Sequence, residues 1–224
     1  MDRLKILFLE PFFGGSHKDF ALGWQSHSAH HIELLTLPDR FWKWRMRGAA
    51  LHFAKRMESL DAWDVVVATD MMNVADFRIL AGSSDVPLLL YFHENQLTYP
   101  EGPGEKRAGQ FAYVNLTSAL AADRVLFNSR FHRDRFFQAA QSLVQSVPDH
   151  PQDWAVEELQ NKTGVLYPGC RFPAEDADTV SPGGKPPLIV WNHRWEWDKQ
   201  PELFFSVLRE IRDANVPFRL ALVG

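Results

Sequence analysis

A single cysteine, Cys170, stands among 224 residues, which excludes an internal disulfide framework and suits the reducing cytosol. Long apolar runs are missing as well. Val86–Phe92 falls far short of the roughly 20 residues that cross a bilayer, so no membrane partner is expected. The run Ile6–Leu9 is stopped by Glu10-Pro11, too early for a signal-peptide core. In a cytoplasmic chain the sequons at Asn115 and Asn161 are incidental. Nor is there an excess of positive charge: 24 Lys and Arg against 28 Asp and Glu give a net charge of -4. That argues against indiscriminate nucleic-acid binding while leaving room for a local basic patch. The chain has no P-loop, no GxSxG elbow and no CxxC pair. His27, His30 and His31 straddle a helix end and a strand start, which is a poor frame for a metal, and no metal site is expected.

Aromatic residues, by contrast, are abundant, with eight Trp and 17 Phe available for a core or for stacking. Short β-rich runs alternate with longer helical ones, the α/β signal for a parallel sheet. Strands are expected at Leu4–Glu10, Ile32–Thr36, Val65–Ala68, Leu88–Phe92, Arg124–Phe127 and Val165–Tyr167. Helices are expected near Lys18–Ser28, Gly48–Leu60, Val74–Ala81, Glu105–Ala121, Arg130–Gln141 and Trp154–Gln160. About one strand per 30 residues is the spacing of right-handed βαβ units. Together these predict a Rossmann-like, doubly wound domain over residues 1–171.

Composition then changes. Phe172–Pro187 reads FPAEDADTVSPGGKPP, a stretch without apolar periodicity that serves as a linker. Residues 188–224 start afresh with strand Leu188–Trp191, helix Glu202–Ala214 and strand Phe218–Val223. One βαβ unit is too small to stand as a domain, so the sequence is expected to be a piece of a longer chain; the alternative is that this unit extends the first sheet.

Four segments carry chemistry. The first strand runs into Gly14-Gly15-Ser16-His17 before a helix, where the glycines admit a ligand close to the backbone and free amides favour an anion; a plain tight turn is the alternative. The fourth strand ends in His93-Glu94-Asn95-Gln96, polar groups that can orient hydroxyls or move a proton at the carboxyl edge where ligands bind in open α/β sheets. Beyond the linker, Arg194 and Lys199 can converge on a diphosphate, unless Glu196 and Asp198 merely neutralise them. Finally, residues 40–56 hold six cations and no acid, interleaved with Phe41, Trp42, Trp44 and Phe53. Trp42, Trp44, Arg45 and Arg47 there suit stacking and phosphate contact on unpaired RNA, or else an amphipathic helix with its rings in the core.

The segments LEPFFGGSHKDF, LTLPDRFWKWRMRGAAL, YFHENQLTYP, FNSRFHRDRF and WNHRWEWDKQPELFF resemble the tRNA-queuosine α-mannosyltransferase family, from about residue 4 to residue 224. The pair Arg194 and Lys199 is similar to the diphosphate clamp of retaining GT-B enzymes. The resemblance implies a GT-B fold in which residues 1–171 face the acceptor and 188–224 open the nucleotide-sugar domain. It implies retaining, metal-independent transfer of mannose from GDP-mannose to queuosine in tRNA, with no cofactor. By it, Gly14, Gly15 and Ser16 lie near the donor phosphates. His93 faces the sugar, Arg194 and Lys199 stabilise departing GDP, and His17, Glu94, Asn95, Gln96, Trp42, Trp44, Arg45 and Arg47 meet the tRNA. His193 departs from the pattern, since such clamps have Gly before the Arg. The family's later acidic segment lies outside these residues, so the 224 residues alone are expected to be inactive. Two rivals remain: a GT-B enzyme with another donor and a small-molecule or lipid acceptor, and a non-catalytic RNA- or sugar-binding module.

Overall fold

The computed structural model describes residues 2–82, 84–100, 109–170 and 184–223. Two compact units are resolved by their contacts, the first running to Tyr99 and resuming before Cys170, the second holding residues after 184. Most of the expected linker, 172–183, and the expected helix start at 105–108 lie outside the described residues.

In the first unit the elements run β1 (Lys5–Phe13), α1 (Gly15–His27), β2 (His31–Pro38), α2 (Trp42–Arg56), β3 (Val65–Thr69), α3 (Val74–Leu80), β4 (Leu88–Phe92), α4 (Gly109–Ala121), β5 (Arg124–Phe127), α5 (Arg130–Gln145), α6 (Asp153–Asn161) and β6 (Thr163–Val165). The six strands form one sheet in the order β2-β1-β3-β4-β5-β6, and every pair is parallel. Strands buried on both faces read as unbroken apolar runs. Accordingly Ile6, Leu7, Phe8 and Leu9 are all buried. Their side chains alternate between two clusters. Leu7 and Leu9 join residues of α2 through α6, among them Phe53, Phe77, Leu116, Phe136 and Val156. Ile6 and Phe8 join Ala21 of α1, Ile32 and Val67. Helices therefore cover both faces, as in Rossmann-like α/β domains.

The order reverses between β1 and β3, because the chain leaves β1 for β2 on one side and returns to β3 on the other. At such a point the two outgoing loops diverge, and the carboxyl ends of the strands border a crevice.

Several boundaries differ from the sequence reading, among them the end of β1 at Phe13, the start of α2 and the position of β6. Helix α2 begins at Trp42, not Gly48, because Phe41 adopts a left-handed conformation (φ 58) that turns the chain into the helix. The β-branched-poor run Trp42–Arg47 is thus helical, and Met46 within it is buried. Strand β6 spans Thr163–Val165, where it pairs with β5; the Leu166 amide still donates to the Phe127 carbonyl, and Tyr167 lies beyond the strand.

The second unit is a parallel βαβ unit: β7 (Leu188–Asn192), a 3-10 turn at Trp197–Lys199, α7 (Pro201–Asp213) and β8 (Arg219–Val223). Proline at the first position of α7 donates no amide that the helix needs. Trp191 is buried, stacked on Trp195 at 5.4 Å and against Phe204 at 4.6 Å.

Candidate functional site

The carboxyl ends of β1, β3 and β4 bring together Glu10, Asp70 and His93, while the first turn of α1 adds His17. Glu10 is fully buried. Its Oε1 accepts from the Phe12 amide at 2.9 Å, from the Thr69 hydroxyl at 3.1 Å and from His17 Nδ1 at 3.3 Å. The other oxygen, Oε2, is buried with no partner. The His17 ring lies against His93, centroids 4.0 Å apart.

His93 is fixed through its backbone and leaves its ring for other work. Its amide donates to Asp70 Oδ1 at 2.8 Å, and its carbonyl accepts from Asn128 Nδ2 at 2.7 Å. Its ring packs edge-on against Phe20 and Tyr91, and its Nε2 is buried without a partner. Asn115, also fully buried, ties the neighbourhood together: its Nδ2 donates to the Asp70 carbonyl and its Oδ1 accepts from the Gln96 amide. Burial of that side chain removes the Asn115 sequon from use in the folded chain.

Charge in this cluster is set by burial against pairing. For His17, burial works to lower the pKa, but the hydrogen bond and charge of Glu10 outweigh it and raise the value to about 9. His17 is therefore an imidazolium at neutral pH, paired with Glu10. His93 is pushed far below its ordinary value by burial, then by the positive charge of His17 and by the neighbouring His132 ring, and stays neutral. Asp70 is raised by burial, opposed by His17. One ligand atom from each of Glu10, His17 and His93 lies within 4.8 Å of the other two, a triad able to hold a cation. The proton on His17 stands in that cation's way and would have to leave first.

The residues expected from the sequence fare differently. Gly15 needs its positive φ of 48 for the turn into α1, and Ser16 beside it is exposed. Gly14 is extended, and its missing side chain is what lets the Asp39 carboxylate pack against it. Space expected for a phosphate at that Cα is thus taken by Asp39. Glu94 lies near enough to His17 and Asp70 to act on both electrostatically. Asn95, expected to meet a ligand, is buried and its amide is spent on the fold. Its Oδ1 accepts from the Leu97 and Thr98 amides, and its Nδ2 donates to Thr98 Oγ1 and to His132 Nε2 at 2.6 Å. His132 in turn bonds Asn128, the residue that holds the His93 carbonyl.

On α2, the two tryptophans part company. Trp42 packs on Phe111 at 5.3 Å and joins Met46, Met71 and Phe12, so this end of the helix adjoins the end of β1. Trp44 is 69% exposed, as is Phe41. Arg45 donates twice to the Pro38 carbonyl, and Arg47 lies over the Phe111 ring at 5.2 Å. In the second unit, Arg194 pairs with Glu196 at 3.0 Å and Lys199 with Asp198 at 2.8 Å. Arg194–Glu196 is an exposed pair that holds its cation by about 0.2–1 kcal/mol, whereas Asp198 is nearly buried at 9% side-chain exposure and keeps Lys199 in a more sheltered pair.

Sequence reasoning missed Glu10, Thr69, Asp70 and Asn115. Thr69-Asp70 closes a run of valines and an alanine at a strand end, the same signal that drew attention to His93, and it was available to be read.

Residues 5–170 match the family model described as "tRNA-queuosine alpha-mannosyltransferase N-terminal". A curated relative, the tRNA-queuosine alpha-mannosyltransferase of Drosophila melanogaster, is 34% identical over 235 aligned residues, covering 98% of this chain. The chain spans 61% of that relative's length. With the family model matched over residues 5–170 of the chain, and with a parallel α/β sheet that gathers a buried polar cluster at its reversal point, the chain belongs to the tRNA-queuosine α-mannosyltransferase family.

Proposed function

We propose that this protein is the glycosyltransferase that moves mannose from GDP-mannose to queuosine in the tRNA anticodon, with retention at the anomeric carbon, without a metal, and on a GT-B frame. The observation that carries the reading is the buried polar cluster at the ends of β1, β3 and β4, where neutral His93 and the Glu10–His17 pair hold polar atoms without a partner. Such atoms suit a hydroxyl-rich sugar or nucleoside better than an apolar ligand. In this reading His93 orients the sugar or acceptor hydroxyls. Gly15 and Ser16 at the start of α1 lie toward the donor phosphates, and the positive end of that helix favours them.

Arg194 and Lys199 take up the charge that develops on the leaving diphosphate, the task a divalent ion performs in other transferases. The exposed face of α2, with Trp44 and its cations, holds the RNA. Among the described residues no helix is long and apolar enough to cross a membrane, which fits an RNA acceptor better than a lipid one. A cytoplasmic location belongs to the same reading.

The deciding experiment incubates queuosine-containing tRNA with labelled GDP-mannose and the purified protein, as this chain and as a chain extended to its relative's length. Label should appear at the wobble nucleotide, and its acceptance from GDP-mannose should exceed that from GDP-glucose or UDP-galactose. No transfer to tRNA by the extended protein would refute the assignment.

A further inference from the structure

Phe131 is 76% exposed, more than any other phenylalanine, tyrosine or tryptophan among the described residues. It stands in the first turn of α5, and its ring packs on no other ring among those residues. A lone apolar side chain on a surface needs no explanation, but the surroundings of this one do. A helix start favours an acid, yet α5 has none in its first turn. Arg130 opens the helix instead, exposed and without a hydrogen bond or ion pair among the described residues. Arg133 pairs with Asp134 at 2.8 Å, and Arg135 bonds Gln138 at 3.4 Å. Residues 130–135 thus set three arginines against one acid, in a chain whose net charge is -4.

The arrangement recurs on α2, which also has no acid in its first turn and bears exposed Trp44 between Lys43 and Arg45. Sheet order places the two rings. β4, which leads to His93, lies between β3 and β5. Helix α5 leaves from the end of β5, while the start of α2 adjoins Phe12 of β1 and Met71 after β3. The exposed rings therefore flank the His93 segment from opposite sides. The start of α5 is also well fixed. Ser129 Oγ accepts from the His132 amide at 3.1 Å, and the His132 ring bonds Asn128 and Asn95 and packs on Phe127. A ring on so fixed a backbone loses little freedom when it stacks.

Chemistry narrows the occupant. An exposed ring stacks on an unpaired base of any sequence, and a neighbouring arginine grips phosphate through its planar fork. A lipid surface needs a broad apolar face, but the helical neighbours of Phe131, which are Asp134, Arg135 and Gln138, are polar and exposed.

We propose that Phe131 and Arg130 form a second RNA contact, the ring stacking on an unpaired base of the acceptor and the guanidinium meeting a backbone phosphate. The acceptor loop is then held on both sides of the His93 segment, by α2 and by α5. The proposal rests on the transferase reading above, which supplies an RNA acceptor, and deepens it.

Anisotropy of labelled queuosine-containing tRNA, titrated with this chain, reads the contact. Phe131→Ala should weaken binding about 5- to 150-fold at every salt concentration, with the salt slope unchanged. Phe131→Tyr should bind like the parent, and Phe131→Leu like the alanine variant. Arg130→Gln should lower the salt slope by about one phosphate contact. Thermal melts of these variants should match the parent, because both side chains are exposed. Equal binding by the parent and Phe131→Ala, or full rescue by leucine, would overturn the proposal. So would poly-glutamate that binds the parent as tightly as tRNA and loses that affinity in Phe131→Ala, which would assign the patch to an acidic protein surface.

In the extended protein, Phe131→Ala should raise KM for queuosine-tRNA by the same factor and leave KM for GDP-mannose unchanged. An unaltered KM for tRNA, with mannose still transferred, removes the platform and leaves the transferase reading standing. Ring-dependent tRNA binding without any mannose transfer does the reverse.

Discussion

Replacing Trp44 and Trp42 separately by alanine distinguishes an RNA-stacking surface from a core-forming helix, because the fold gives the two rings opposite surroundings. Trp44 is 69% exposed, so its removal should change stability by no more than about 0.5 kcal/mol, or under ~2 °C in melting temperature. If the ring stacks on an unpaired base, the loss is about 1–3 kcal/mol of binding, roughly a 5- to 150-fold weaker Kd. Trp42 is half-buried against Phe111 and Met46. Full truncation of a buried tryptophan costs about 3–5 kcal/mol, and half that burial gives ~2 kcal/mol, or about 4–8 °C in a unit of this size. Filter binding of queuosine-containing tRNA from about 50 to about 200 mM salt, with thermal melts on the same samples, reads both quantities. Trp44→Ala should lower affinity at every salt concentration without changing the salt slope, since the ring carries no charge. A Trp44→Ala protein that binds tRNA as tightly as the parent would refute the argument.

The buried cluster makes stability depend on pH from both sides. His17 is raised from 6.5 to about 9, so the stabilisation from its pairing is complete below 6.5 and fades as pH rises through about 9. Asp70, raised by burial, destabilises in the same direction because the unfolded chain ionises first. His93 is lowered, so stability also falls as pH drops below 6.5, its ordinary value. Above pH 6.5 the His17 and Asp70 losses add, so melting temperature should fall as pH rises from 6.5 toward about 9, and an NMR titration should find the His17 ring still protonated at pH 8. A methyl on Gly14 would overlap the Asp39 side chain; Gly14→Ala should cost about 1–3 kcal/mol in urea unfolding, and adding Asp39→Gly should restore most of it. In the extended protein, Arg194→Ala should lower kcat by about 10²–10³ with KM for tRNA unchanged, as measured by initial rates of mannose incorporation.

Much of the fold was readable because burial in a parallel sheet leaves a local mark. The run Ile6–Leu9 has no other use than a strand covered on both faces, and Leu88–Phe92 carries the same mark to the residue at which the structure ends the strand. The start of α2 was hidden, since one backbone angle at Phe41 decides it, and phenylalanine gives no hint of a left-handed conformation. His17 and His93 could be picked out one at a time as polar residues after strands.

What chain order could not supply was their ring-to-ring placement at 4.0 Å, nor the role of Glu10, which in sequence only interrupts an apolar run. Alternation and periodicity are properties of neighbours along the chain, and they determine which segments become strands and helices. Proton placement on His17, neutrality of His93 and the unpartnered oxygen of Glu10 arise from residues up to 83 positions apart (from 10 to 93) meeting in a buried site. Only the sheet order, with β1 beside β3 and β3 beside β4, brings them together.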